Sequence, residues 1–339
     1  MQPPLFKIRQ DGYFGFINAA GEIVIEPQYL EAGEFRNGFS TVRLNGQLAL
    51  LDSLGRLYIR RLYRSIGFFN EGLARVQPAR CWGYINERGA PVIAPVFEMA
   101  GDFSGGLAPA TFEGQAGFIR TDGTFSVKPV FSQTGNFNLG LAPAATETMW
   151  GYVDQTGQYR IQPQWEGATA FQGPAAIVTR NGRWGLINRE GAETVAPQFE
   201  WVKGLANGVF FDGMALAFRD GKYGFVSQDG RIAIEPMFDL AGDFGEGLAL
   251  VEINGAYGYI NKEGKLVIMP KFEDAGVFSD GLAQVCVNGR WGYILPDGQI
   301  AIKASFSAAT PFRDGLALTI LDHKWQYINK TGAVVWREK

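Results

Sequence analysis

The sequence predicts an all-β fold built from ten tandem three-stranded units of about 34 residues. Two observations carry that expectation. A short phrase typified by Trp82-Gly83-Tyr84-Ile85 returns at fixed spacing, and a glycine stands seven residues after the start of every copy. The phrase begins at Phe14, Leu48, Trp82, Ala116, Trp150, Trp184, Tyr223, Tyr257, Trp291 and Trp325. Every interval is 34 residues except Trp184 to Tyr223, which is 39 and so holds a five-residue insertion. A fixed period of this length marks a repeat architecture, in which each unit is one supersecondary element that buries its apolar face against its neighbours.

The eighth copy shows the elements in order. Leu248-Ala249-Leu250-Val251-Glu252-Ile253 reads as a first strand, and Asn254-Gly255 after it is a strong hairpin signal, since a type I′ turn needs positive φ at both central residues. The second strand, Tyr257-Gly258-Tyr259-Ile260-Asn261, is apolar on both faces, as a strand covered on both sides must be. The invariant glycine follows: Gly21, Gly55, Gly89, Gly123, Gly157, Gly191, Gly230, Gly264, Gly298 and Gly332. Its recurrence without exception predicts a left-handed backbone that only glycine adopts cheaply. A third strand with alternating pattern comes next, as in Arg231-Ile232-Ala233-Ile234-Glu235. Pro27, Pro95, Pro129, Pro163, Pro197, Pro236 and Pro270 are expected to end it, because proline donates no ladder bond. The connector carries two aromatics per copy, such as Phe97 and Phe103, which should pack between neighbouring units before Gly-Leu-Ala opens the next.

The combination of Trp-Gly-Tyr-Ile-Asn, a glycine three residues on, a proline in the following strand and Phe-x-x-Gly-Leu-Ala resembles the bacterial WG-repeat (KWG-repeat) family. The likeness runs from Leu5 to Trp336. Copy two departs from it with Leu48-Ala49, copy four with Ala116-Gly117 and copy ten with Trp325-Gln326. The resemblance implies a scaffold, and brings no catalytic residues with it.

Residues 1–339 are therefore expected to form a single repeat array, propeller-like or toroidal, with an open β-superhelix or solenoid as the alternative. The insertion region 201–212 reads as a seam between two five-unit bodies. A hydrophobic content of 46% supports a large core. The net charge of -3 argues against a general nucleic-acid binder. No apolar run approaches the roughly 18 residues of a membrane span. Met1 to Arg9 lacks the apolar segment of a signal peptide, and Cys81 and Cys286 lie six units apart, so a cytoplasmic protein with reduced thiols is expected.

Catalysis finds little material. His323 is the sole histidine and falls at a hairpin glycine position, so it reads as a turn residue. With two unclustered cysteines no His/Cys metal constellation can be assembled, and no cofactor is expected. Glu34, Asp102 and Asp243 recur before the connector phenylalanine; repetition favours a turn role over an acid pair, which is needed only once. The stronger pointers are departures from the repeat. Copy two holds Arg43, Arg56, Arg60, Arg61 and Arg64 against Asp52 and Glu71, a local excess of three positive charges from five minus two. Arg56, Arg60, Arg61 and Arg64 are candidates for an acidic partner or phosphate, or simply a charged strand edge. In the insertion, Trp201, Phe210 and Phe211 are candidate contact residues, unusually apolar for a loop. The function expected is a non-enzymatic protein-protein interaction scaffold. The alternative is a lectin for carbohydrate or cell-envelope glycan, stacking sugars on the recurrent aromatics.

Overall fold

The computed structural model describes residues 3–36, 38–57, 63–202 and 209–339. All regular secondary structure among them is β-strand. The chain divides into two compact units, one made of Pro3–Pro27 with Gln198–Lys339 and the other of Gln28–Pro197. The first unit thus contains copy one and copies seven to ten, and the second contains copies two to six. The boundary at Pro197/Gln198 lies just before Trp201.

Each copy is an antiparallel meander. In copy eight the strands are Leu248–Ile253, Ala256–Asn261 and Leu266–Phe272. The hairpin pair has the expected left-handed backbone, with φ of 53° at Asn254 and 78° at Gly255. All ten invariant glycines have positive φ, from 71° at Gly89 to 87° at Gly123. The chain needs that conformation to close a tight turn: Gly264 N–H donates to the Asn261 carbonyl at 2.9 Å. The Asn261 side-chain oxygen accepts from the N–H groups of Glu263 and Lys265 at 3.2 and 2.9 Å.

Two expectations need correction. The connector is not only a loop: Met99–Ala100 pairs with Leu107–Phe112 as a short edge strand, and copies three to six and eight to ten are four-stranded in this way. The prolines, moreover, lie inside the third strand and do not end it. In copy three Trp82 pairs with Phe97 and Tyr84 with Ile93, so Ala94-Pro95-Val96 together oppose the single Gly83. This is a bulge, where proline's missing N–H costs no ladder bond. It also explains the glycine of the motif. A Cβ on Gly83 would lie 2.5 Å from the Ile93 oxygen and 2.8 Å from the Pro95 nitrogen. The same clash recurs at Gly15, Gly117, Gly151, Gly185, Gly224, Gly258 and Gly292, so the bulged backbone crosses where a side chain would begin. Copies two and ten, with Ala49 and Gln326, have Arg61 and Glu338 at the proline position, and copy nine keeps its glycine with Ala304 there. In copy ten the third strand pairs one-for-one at Gln326 and Arg337.

Neighbouring copies meet through a repeated set of contacts. In copies three, four, five, seven, eight and nine the second residue after the anchor puts a ring on the next connector phenylalanine; centroids are 4.9 Å apart for Tyr84–Phe103 and for Tyr259–Phe278. Where that ring is tyrosine its hydroxyl donates to a backbone carbonyl of the next copy, Tyr84 to Gly101 and Tyr259 to Gly276, both at 2.7 Å. Such tyrosines are almost wholly buried, and burial pushes their hydroxyl pKa far up. At the Gly-Leu-Ala turns a carboxylate reaches forward to the next copy's turn. Glu246 accepts from Gly281 N–H at 2.8 Å and Asp280 from Gly315 N–H at 2.7 Å. Asp212 accepts from Gly247 N–H at 2.6 Å and pairs with Lys262 at 2.8 Å.

In the first unit the last copy is covered by the first. Phe6, Ile8 and Ile17 share a core cluster with Leu316, Tyr327 and Trp336. The Tyr327 hydroxyl donates to the Lys7 carbonyl at 2.9 Å, and Arg9 pairs with Glu338 at 3.2 Å. Lys7 is the repeat equivalent of Thr41 and Gln284, whose carbonyls accept from the edge-strand glycines Gly33 and Gly276 at 2.8 and 2.9 Å. Tyr327 therefore supplies copy one with the bond that an edge strand supplies elsewhere.

Three substitutions rank the constraints. Gly258→Ala is expected to destabilise by about 3 kcal/mol, because backbone and not side chain must move. Gly264→Ala should cost about 1 kcal/mol through φ alone, since its Cβ would meet only the Ile234 side chain at 3.4 Å. Ala256→Gly should cost least; urea unfolding of the three variants checks the order. A second test is acid titration. Lys262 and the Gly247 N–H hold the Asp212 carboxyl below its ordinary value. A lowered folded pKa gives stability that is present above the unfolded value and is lost as pH falls through the folded one. Asp212→Asn should flatten the fall in stability as pH drops below about 4.

Candidate binding site

The sequence-selected residues separate on inspection. Arg56 is held at the turn after strand Gln47–Asp52, its guanidinium 2.8 Å from the buried Asp52 carboxylate, which also accepts the N–H groups of Leu54 and Arg56 at 3.0 and 2.9 Å. That bond makes Arg56 a turn brace, like Arg160 on Asp154 in copy five at 2.7 Å. Arg60 and Arg61 lie outside the described residues. Arg64 is exposed, directly before the edge strand Ser65–Ile66. In the first unit Trp201 and Phe211 are exposed and Phe210 is half-buried. His323 is an exposed turn residue with φ 64°. The anchor tryptophans are packing residues in part: Trp184 is fully buried, while Trp82, Trp150, Trp291 and Trp325 are half-buried. Among the described residues no group of three or more His, Cys, Asp or Glu side chains could hold a metal ion.

The feature that sequence reading missed is a hollow in copy two, with a volume of about 300 Å³. One wall is the first hairpin of that copy, Phe39–Leu44 and Gln47–Asp52, contributing Phe39, Thr41, Leu48 and Leu50. The other is the edge segment of copy three, with Ile66, Phe68 and Phe69. Glu34 and Arg36 stand at its rim, and the Arg36 guanidinium lies 5.1 Å from the centre of the half-exposed Phe68 ring.

The hollow follows from three shortened side chains on one face. In copy three the equivalent ground is filled by Trp82, with the Arg75 guanidinium 5.4 Å from its ring centre, and by Tyr84. Arg75 also donates to the Ala100 carbonyl at 2.8 Å and pairs with Asp102 at 3.0 Å. Copy two has Leu48, Thr41 and Leu50 at these three places. It is the one copy that lacks an aromatic both at the anchor and two residues later. Phe39 partly compensates: it stands where seven copies have leucine, and its ring lies 5.0 Å from that of Phe69. A second hollow of about 300 Å³ lies along the edge strand Met99–Ala100 of copy four, where Arg75 lines it. Gly101, Pro109 and Thr111 face Gln133, Thr134 and Asn136 there. The readable signal was the joint departure at positions 39, 48 and 50, of which 48 and 50 alternate along one strand and so share a face.

A family profile describing a WG-containing repeat matches residues 14–47, 82–115, 117–145, 150–184, 184–223, 223–255, 257–291 and 291–325. The chain belongs to the WG-repeat family. Residues 48–81, which begin at the copy-two anchor, fall outside the matched segments. No characterised protein matched the sequence. Among solved structures, this WG-repeat chain is similar to a crystal structure of the eukaryotic initiation factor. That match has 13% identity, covers 99% of this chain and 96% of that one, and has a TM-score of 0.51. It is also similar to NirN, a dihydro-heme d1 dehydrogenase, at 11% identity, covering 100% and 75% of the two chains with a TM-score of 0.40. A third is BamB from Moraxella catarrhalis, at 11% identity, covering 97% and 92%, with a TM-score of 0.36. These likenesses concern the fold alone, an all-β, propeller-like array of small sheets. Family and fold fit a repeat-based binding module. No helix is long and apolar enough to cross a membrane among the described residues.

If lost side chains make the hollow, the change should work in both directions. Trp82→Leu is expected to cost about 3 kcal/mol and Leu48→Trp to add about 1 kcal/mol, both read from denaturant unfolding.

Proposed function

We propose that the chain is a non-enzymatic interaction scaffold that holds a protein partner through the irregular copies of its second unit. The observation that carries this reading is the coincidence of irregularity and access. Copy two, the one copy that lacks an aromatic both at its anchor and two residues later, has an open hollow lined by the two leucines at those places, Leu48 and Leu50. Apolar walls with a polar rim are the usual make-up of a recognition pocket. Arg64, exposed one residue before the edge strand Ser65–Ile66 that carries Ile66 of the hollow, offers a positive charge suited to an acidic partner surface in a protein that is negative overall. The half-buried anchor tryptophans keep a glycan-binding role as the second reading.

The test is affinity capture by the wild-type chain and by a folded variant with Arg60, Arg61 and Arg64 changed to Ala, followed by binding measurements with each purified captured protein. A protein that binds the wild type with defined stoichiometry, and the variant at least about tenfold more weakly, supports the scaffold. Absence of any such protein, with saturable sugar quenching of tryptophan fluorescence at several equivalent sites, replaces it with the lectin.

A further inference from the structure

Among the described residues, nine copies have connector backbone bonded along the outer edge of their first strand, and copy one does not. Its first strand, Phe6–Gln10, pairs only with Tyr13–Ile17. Arg9 is the repeat equivalent of Thr111, Thr179 and Cys286. Those three carbonyls accept from the N–H groups of Glu98, Glu166 and Glu273 at 2.9, 2.9 and 3.1 Å. Arg43 stands at the same place in copy two, and its N–H donates to the Glu31 carbonyl at 3.1 Å. Neither backbone group of Arg9 has such an edge partner among the described residues.

The hairpin beside that edge is uncapped as well. Asp11 and Gly12 are exposed, with φ of 53° and 82°, and successive N–H groups in such a turn form a concavity for an anion. In copies four, six, eight and nine the acidic residue directly before the edge strand caps the equivalent turn. Glu98 accepts from Gly114 N–H, Glu166 from Gly182, Asp239 from Asn254 and Glu273 from Gly289, at 3.2, 3.0, 3.3 and 2.8 Å. The N–H groups of Asp11 and Gly12 have no acceptor among the described residues. Two residues after each of these acids comes an alanine packed on the core, as at Ala100 and Ala241. The next residue is Gly101 or Gly276, whose N–H donates to the Pro109 or Gln284 carbonyl at 2.8 or 2.9 Å. Connectors then continue to a phenylalanine, but copy one already has that ring. Phe6 stands where copies three to ten have alanine, and its centroid lies 5.6 Å from Tyr327. The uncovered stretch therefore runs only from the acidic residue to the glycine.

We infer that the outer edge of Phe6–Gln10 takes an extended segment of a partner protein as a further strand, with the pattern acidic residue, any residue, alanine, glycine. Four such segments lie on the equivalent edges of this chain, and they define what the edge accepts. The N–H of the incoming acid donates to the Arg9 carbonyl, and Arg9 N–H donates to the carbonyl of the residue after it. The carboxylate caps the Asp11-Gly12 turn. The glycine N–H takes the Lys7 carbonyl from the Tyr327 hydroxyl, which moves to the glycine carbonyl as Tyr84 does on Gly101. This edge is in the first unit and is separate from the copy-two hollow, so either site can fail without the other.

The full chain and the blocked peptide Ac-Glu-Met-Ala-Gly-Asp-NH2, which has the sequence of residues 98–102, test it, with binding followed by NMR. The peptide is expected to bind saturably at one site, with a dissociation constant on the order of a millimolar for so small a ligand. Two altered peptides should each bind at least about fivefold more weakly. One is methylated on the glutamate nitrogen, which keeps every side chain and removes the N–H meant for Arg9. The other, Ac-Met-Glu-Ala-Gly-Asp-NH2, keeps the charge and turns the glutamate to the opposite face. Arg9→Pro removes an N–H that points away from Tyr13–Ile17, so it spares that pairing. Arg9→Ala loses the ion pair with Glu338 and keeps the N–H. Arg9→Ala should retain the first peptide and Arg9→Pro should lose it by a similar factor. If Arg9→Pro does not fold, the methylated peptide puts the same question to the unaltered chain. No saturable binding, equal binding of either altered peptide, or equal binding by the two folded Arg9 variants overturns the inference. So does self-association of the chain that Arg9→Pro abolishes, which gives the edge to a second copy.

Discussion

Most copies depend on one backbone crossing. The third strand bulges over the second at the motif glycine, bringing a carbonyl oxygen and the following backbone to about 2.5 Å from where a Cβ would stand. That approach explains two columns of the repeat together, the glycine after the anchor and the proline twelve residues further on. The bulge bends the strand so that its last residue, Phe97 or Phe272, turns back into the core. Copy nine shows that the crossing matters more than the proline, since Ala304 crosses Gly292 just as closely.

Once the crossing is set, the contacts between copies follow from spacing. The ring two residues after the anchor lies on the next connector phenylalanine, and where it is tyrosine its hydroxyl satisfies a carbonyl that the short edge strand leaves over. Turn carboxylates at positive φ, such as Glu246 and Asp280, cap the next turn's N–H groups. No single contact of this kind is large. Repetition makes them a scaffold, because each copy stabilises the one beside it.

Function belongs to the exceptions. A repeat can lose a large side chain in one copy and survive on its neighbours, and the proposed recognition site uses the space left behind without new architecture. Copy two has gone furthest: leucines stand both at the anchor and at the ring position after it, and Phe39 from the preceding strand makes good only part of the loss. The same logic gives the arginines different weights. Arg56 is consumed by Asp52 in a turn, whereas Arg36, unremarkable in the sequence, lines the copy-two hollow together with Glu34.

The sequence by itself determined the period, the three main strands, the hairpins and the left-handed glycines, because each is a local matter of φ, hydrogen bonding and alternation within a few residues. It also marked copy two as irregular and displayed the Leu48-Ala49 departure. Tertiary structure alone decided three things. The connector adds a strand to the next copy, the prolines sit within a bulge, and the first copy covers the last. It also decided that the losses at Thr41, Leu48 and Leu50 fall on one face against a neighbouring edge. A missing ring is visible in a sequence; whether the gap is refilled by a residue from another strand, as Phe39 does in part, depends on packing between copies that no single period contains.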